Sequence, residues 1–183
     1  MKIIRTKIKG CVIIEPDRFE DDRGYFSPFF IHKTFNKEDM SFKEIVQCNR
    51  SKSAKGVFRG FHYQKAPKAQ SKIVEVLKGA VIDFIVDIRP DSPTYGEYCM
   101  ISLTEEDNQL VYIERGLAHG FLSLEDDTIF QYFVDNDYAP ELESGVCYDD
   151  KILNINWDVF RRYLEIDNLI INPKDLQYLP LEK

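Results

Sequence analysis

From Ala80 to Arg89 the chain alternates with a period of two. Ile82, Phe84, Val86 and Ile88 fall on one face, and Asp83, Ile85 and Asp87 fall on the other, the pattern of a β-strand. Pro90, Ser92 and Pro93 stop it. Runs of similar length recur on both sides. Strands are predicted over 2–8 and 11–14, broken by Lys9-Gly10 and closed by Pro16, and a turn at Asp21–Phe26 leads into an aromatic strand over 24–31. Further strands are predicted over 43–49, 56–64 and 72–78, then over 97–103, 109–114, 118–124, 128–135 and 145–148. Helical patterning is confined to 33–40, capped by Thr34 or Asn36, and to 157–165. The last residues, NPKDLQYLPLEK, read as loop.

Short strands at intervals of roughly 8–12 residues, punctuated by Gly and Pro, favour an antiparallel sandwich or barrel. No linker, internal repeat or shift of composition divides the chain, so residues 1–183 are expected to form a single domain. Parity adds a detail. Arg59 and His62 fall on opposite faces of a regular strand, so a shared site needs a bulge, and Gly60 is its natural place.

Composition narrows the function. With 44% hydrophobic and 30% charged residues the chain is ordinary for a globular protein. No apolar run approaches the roughly 20 residues of a membrane helix, and the start MKIIRTKIKG lacks the apolar core of a signal peptide; a cytoplasmic protein with no membrane association is expected. The net charge of −7, without a basic block, argues against general nucleic-acid binding. Cys11, Cys48, Cys99 and Cys147 are widely spaced and form no C-x-x-C pair, which favours reduced thiols over a disulfide framework or a zinc site.

The candidate chemistry is concentrated in NRSKSAKGVFRGFHYQKAPKAQSKIVEV, residues 49–76. Arg59, His62 and Lys72 bring a fixed cation, a titratable base and an ammonium close together, which suits a site that holds an anion and moves a proton beside it. In an acidic protein such a pocket must be local, and Arg23, Arg59, Lys72 and Lys174 are available to build it. A second imidazole, His119, lies in IERGLAHGF, and the two halves together have the outline of a cupin barrel. Metal-binding cupins carry His-x-His and a nearby Glu in the first half. Here Gln64 replaces the second His and no Glu follows it until Glu75, a poor ligand set for Zn or Fe.

The ordered motifs resemble the dTDP-4-dehydrorhamnose 3,5-epimerases. DDRGYF is similar to the family's D-x-R-G-x-F, and QCNRSKSAKGVFRGFHYQ to its N-x-S-x-S-x-x-x-V-x-R-G-x-H-x-Q. SKIVEVLKGAVIDFIVDIRPDSPTYGEY, GLAHGF, YAPELESG and PKD complete the series at consistent spacing. The resemblance implies a cupin-like jelly-roll β-barrel with a few short helices, working as a homodimer on a nucleotide-diphosphate sugar without metal or nicotinamide. It implies His62 as base, Tyr132 as acid on the opposite face of the sugar, Lys72 against the enolate oxygen, and Asp175 as the partner that orients His62. By the same resemblance Arg23, Gln47, Asn49, Arg59, His119, Glu143 and Lys174 contact diphosphate, ribose or sugar, while Phe26 and Tyr138 lie against the base. Asp83 and Asp87 are expected to be structural, paired with Arg or Lys.

That chemistry is coherent on its own terms. A 4-keto group acidifies the hydrogens at C3 and C5, and inversion needs a proton removed from one face and returned to the other. Neutral imidazole suits the first task and a phenol with an unperturbed pKa of about 10 the second. An ammonium beside the developing enolate supplies electrostatic stabilisation.

The sequence departs from the family at Ser27-Pro28, where a Glu usually helps to read thymine, at Tyr148-Asp149-Asp150-Lys151 and Trp157-Asp158, and at Ile113-Glu114-Arg115-Gly116. A proline side chain neither donates nor accepts a hydrogen bond, so reading of the base must change there. Epimerisation at C3 or C5 alone, or of a GDP-, CDP- or UDP-linked 4-keto sugar, remains an alternative. So do a metal-dependent cupin enzyme and a non-catalytic sugar-nucleotide binding protein.

Overall fold

The computed structural model describes residues 1–35 and 40–182. Its strands in chain order are β1 (Lys2–Arg5), β2 (Cys11–Glu15), β3 (Phe19–Asp21), β4 (Gly24–Phe26), β5 (Gln47–Ser53), β6 (Val57–Gln64) and β7 (Lys72–Lys78). Then come β8 (Ala80–Asp87), β9 (Tyr98–Thr104), β10 (Leu110–Ile113), β11 (Leu117–Ser123), β12 (Thr128–Val134), β13 (Glu143–Gly145) and β14 (Ile170–Ile171). The α-helix α1 (Trp157–Leu164) lies between β13 and β14.

Two large sheets face each other as a jelly roll. One runs β1-β2-β10-β7-β12-β5, the other β13-β6-β11-β8-β9, with β14 added beside β6; β3 and β4 form a separate hairpin. Among the described residues every pairing is antiparallel except β14 with β6.

Alternation along the strands sorts side chains into three apolar layers. Val74, Val76, Val111 and Phe130 from the first sheet meet Val81, Ile85, Leu117 and Phe121 from the second in the barrel interior. Phe58, Phe84, Val86 and Leu122 point outward from the second sheet and are covered by Trp157 and Leu164 of α1. Val12, Ile14, Ile73 and Tyr112 point outward from the first sheet and are covered by Phe35, Met40 and Phe42. The two faces read from the 80–89 pattern are thus real: Phe84 and Val86 serve one layer, Ile85 the other.

Several boundaries move for identifiable reasons. The strand predicted over 2–8 ends at Arg5, because Thr6 Oγ1 donates to the Ile8 carbonyl (3.1 Å) and accepts the Ile8 N–H (3.2 Å), curling the chain into a turn. The aromatic strand predicted over 24–31 is only Gly24–Phe26, paired with the unpredicted β3; Ser27-Pro28 follows, and proline has no N–H for a ladder. The strand predicted over 43–49 is displaced to Gln47–Ser53, a polar run that pairs with β12 along its whole length. The strand over 145–148 is Glu143–Gly145; the short β14 precedes the terminal loop, which holds a 3₁₀ turn at Asp175–Gln177. The chain makes a 3₁₀ turn at His32–Thr34, and residues 36–39 of the helix expected over 33–40, Asn36 among them, lie outside the described residues.

The bulge required at Gly60 is present. His119 pairs with His62 but Phe121 pairs with Arg59, so one strand spends three steps where the other spends two. Gly60 sits at φ +138°, and a Cβ there would stand 2.5 Å from the Gly120 Cα and 2.9 Å from the His119 carbonyl oxygen. Two glycines therefore let β6 and β11 approach closely while Arg59 and His62 turn toward one cavity. Gly60→Ala is expected to destabilise the protein by about 3 kcal/mol or more, through combined backbone strain and overpacking. A denaturant midpoint that falls with an unchanged slope would show this; an unchanged midpoint would contradict it.

Candidate active site

A cavity of about 630 Å³ opens at one end of the barrel interior. Its walls include Gln47 and Asn49 from β5, Arg59 and His62 from β6, Lys72 from β7, His119 from β11, Tyr132 from β12 and Glu143 from β13. Tyr138, Lys174 and Asp175 close it from the loops. Every site residue expected from the sequence is there except Arg23 and Phe26.

His62 Nε2 lies 2.8 Å from Asp175 Oδ1, and because a carboxylate only accepts, Nε2 carries the proton. The other ring nitrogen, Nδ1, takes no hydrogen bond among the described residues, and it is the one available to act as base. Asp175 is buried (4% exposed), and its second oxygen accepts the Gly60 N–H at 3.4 Å. The bulge thus positions both the imidazole and its carboxylate.

Lys72 Nζ hydrogen-bonds the His62 carbonyl at 3.4 Å and lies 5.9 Å from the centre of the Tyr132 ring. Burial lowers its pKa to about 8, with Asp83 and Glu143 pulling the other way. Tyr132 moves upward, first by burial and then by Glu143, with Arg59 opposing, so its phenol stays protonated at neutral pH. Glu143 accepts Tyr138 Oη–H at 2.6 Å and Lys174 Nζ–H at 2.7 Å. Burial raises the Glu143 pKa, but these two donors outweigh it and the net shift is downward. Arg59 donates to Ser53 Oγ (3.1 Å) and the Lys52 carbonyl (3.2 Å), and Gln47 Nε2 donates to Asn49 Oδ1 (2.6 Å).

His119 Nε2 lies 2.6 Å from Asp83 Oδ1, with both side chains buried. Burial holds its pKa below the ordinary value against the pull of Asp83. The expected Arg or Lys partner is correct for Asp87, which Arg89 grips at 2.7 Å, and incorrect for Asp83, which holds an imidazole instead. In the ladder Asp83 pairs with Phe121, two residues along β11 from His119, so strand register brings the two side chains together on the inner face.

Sequence reasoning also missed Tyr178. Its ring stands edge-on to His62 (centroids 5.8 Å apart, planes at 74°) and fills space that Gly145 leaves open, since a Cβ there would lie 2.4 Å from it. Nothing in the local pattern of the terminal loop marks that contact. Among the described residues no three His, Cys, Asp or Glu side chains form a metal-holding group.

Arg23 and Phe26 sit on the β3–β4 hairpin. Arg23 is paired with its neighbour Asp21, and Phe26 is 68% exposed. The hairpin stem is tied down by Asn108, whose Nδ2 donates to the Pro16 carbonyl and Ser27 Oγ, next to the Leu110–Ile14 end of the β2–β10 ladder. Lys72 pairs with Ile113 at the opposite end.

The two-sheet barrel with a polar mouth is a cupin-like jelly roll. Residues 5–183 match the family described as dTDP-4-dehydrorhamnose 3,5-epimerase. The enzyme of that name from Escherichia coli K12 is 39% identical over 183 residues, covering 100% of this chain and 96% of the relative. The crystal structure of the Elizabethkingia anophelis NUHP1 enzyme superposes with a TM-score of 0.90 at 39% identity, covering 98% of this chain and 96% of that one. A Legionella pneumophila dTDP-6-deoxy-D-glucose-3,5-epimerase in complex with dTDP-4-keto-L-rhamnose gives a TM-score of 0.87 at 37% identity, covering 98% and 92%. The chain belongs to the dTDP-4-dehydrorhamnose 3,5-epimerase family of carbohydrate isomerases.

Proposed function

We propose that the protein inverts C3 and C5 of dTDP-4-dehydro-6-deoxy-D-glucose to give dTDP-4-dehydro-L-rhamnose. The observation that carries this reading is His62, protonated on Nε2 toward Asp175 and free on Nδ1, sharing one cavity with the phenol of Tyr132 and the ammonium of Lys72. In the proposed sequence His62 takes the proton from C3 or C5, and the electron pair moves into the 4-keto oxygen. Lys72 stabilises that oxygen, and Tyr132 returns a proton from the other face. Asp175 stabilises the imidazolium that forms. Arg59 and Lys174 offset the diphosphate charge, with Gln47, Asn49, His119, Tyr138 and Glu143 completing the contacts.

Arg23 and Phe26 fit this scheme through a second copy. A hairpin that among the described residues pairs only with itself, does not line its own cavity and exposes Phe19, Tyr25 and Phe26 supports a homodimer in which each hairpin completes the partner's site. The apolar layers share their two sheets, which supports one domain over 1–183. All four cysteines are free thiols, which supports a cytoplasmic location. Among the described residues no helix is long and apolar enough to cross a membrane.

Borohydride reduction of the reaction mixture tests the stereochemistry. Double inversion yields L-rhamnose and 6-deoxy-L-talose after hydrolysis. Recovery of D-fucose and 6-deoxy-D-glucose alone would rule out activity on this nucleotide sugar.

The pH profile follows from Lys72. Its charge is intact below about pH 8 and lost above, so kcat/KM is expected to fall above about pH 8, approaching tenfold per unit. Lys72→Arg, which stays charged, is expected to move that limb beyond pH 10. A limb unmoved by the substitution would assign it to another group.

A further inference from the structure

Cys11 and Cys99 lie on different sheets, β2 and β9, with their sulfurs 3.7 Å apart at the edge of the barrel interior. Cys11 is 1% exposed and Cys99 partly exposed. Across the first sheet Cys11 is in register with Ile113, and Ile113 with Lys72. Across the second, Cys99 is in register with Ile85, Ile85 with His119, and His119 with His62. The dithiol therefore joins the two rows that carry the ammonium and the imidazoles of the cavity.

We infer that Cys11 and Cys99 form a reversible redox site that closes as a disulfide and staples the two sheets at the level of the catalytic residues. The co-reactant is a low-molecular-weight disulfide such as oxidised glutathione. Cys99, the more accessible thiol, attacks one sulfur of that disulfide as thiolate and expels a thiolate. Cys11 then attacks the Cys99 sulfur of the mixed disulfide, giving up its proton as the second small thiol leaves. Two protein thiols are oxidised and one small disulfide is reduced to two thiols.

The surroundings support this division of labour. The Cys11 S–H and Thr6 favour the thiolate of Cys99 against its burial, and Lys7 adds to them. Cys11 is held protonated by Cys99 and by burial, as a buried resolving thiol should be. The charge of Asp83, which also holds His119, opposes a thiolate at either sulfur. The closed loop spans residues 11–99, long enough for a cross-link to restrict the unfolded chain strongly.

The test uses the full-length protein with Cys48→Ser and Cys147→Ser, incubated with oxidised glutathione and then alkylated. The expected product has lost two hydrogens, carries no alkyl group, yields a cross-linked Cys11–Cys99 peptide, and melts about 5 °C or more above the reduced form. Dithiothreitol is expected to reverse both changes. In Cys11→Ser the reaction is expected to stop at a glutathione adduct on Cys99. Alkylation of both thiols after incubation, or a persistent glutathione adduct with Cys11 present, would overturn the inference. So would a cross-linked protein that melts no higher than the reduced one.

Discussion

Replacing His62 with asparagine is expected to lower kcat by about 10³-fold or more while changing dTDP affinity by less than about 1 kcal/mol. The His62 imidazole is fixed at Nε2 by the buried Asp175 carboxylate, and its Nδ1 takes no hydrogen bond among the described residues. Asparagine keeps an N–H to offer Asp175 but has no basic lone pair, so it removes proton abstraction and leaves a polar partner for the carboxylate. His62→Ala removes both and is expected to be as inactive and less stable, because Asp175 would retain only the Gly60 N–H. Steady-state rates combined with calorimetric titration of dTDP separate the two effects. Near-normal turnover in either variant would remove His62 as the base.

The second large effect is expected at Lys72. Lys72→Met keeps much of the length and volume of the side chain and deletes the charge, and kcat is expected to fall about 10²–10³-fold, as when one stabilising donor is removed from a developing oxyanion. Stability should move the other way. The folded pKa of about 8 lies below the unfolded value, so the protein holds this ammonium at a cost. That cost is fully present below about pH 8 and is relieved as pH rises toward the unfolded value near 10.5. Lys72→Met removes it, so the thermal midpoint at pH 7 is expected to rise as activity collapses. A variant that loses both would make Lys72 structural; one that keeps kcat would move enolate stabilisation elsewhere, with Arg59 next to be examined.

The sequence pattern was most informative where strand alternation coincides with burial. The two faces of 80–89, the strand over 72–78 and the need for a bulge at Gly60 follow from period and parity alone, since a residue slip there would turn the inner face outward. It was least informative where pairing, not hydrophobicity, makes the strand. β5 is a polar run, QCNRSKS, held by its full ladder to β12, and β14 is two residues laid beside β6. The site divides along the same line. His62 and Lys72 are legible as chemistry, and the family motifs supplied Tyr132 and Asp175. The Asp83–His119 pair and the Tyr178 edge contact depend on cross-strand register and on a chain end folding back, which no local spacing records. Arg23 and Phe26 show another limit, for a motif can mark residues that the cavity of a single chain does not contain.

The measurement that bears most directly on the central claim is proton NMR in D₂O. The substrate is dTDP-4-keto-6-deoxy-D-glucose, with catalytic enzyme and no reductase present. Loss of both the C3 and C5 proton signals is expected, because each inversion removes a carbon-bound hydrogen and returns one from a solvent-exchanged group. Loss of one signal alone would reduce the activity to a mono-epimerase. Retention of both, with bound nucleotide, would contradict the account and turn attention to other nucleotides, with Pro28 the first residue to examine.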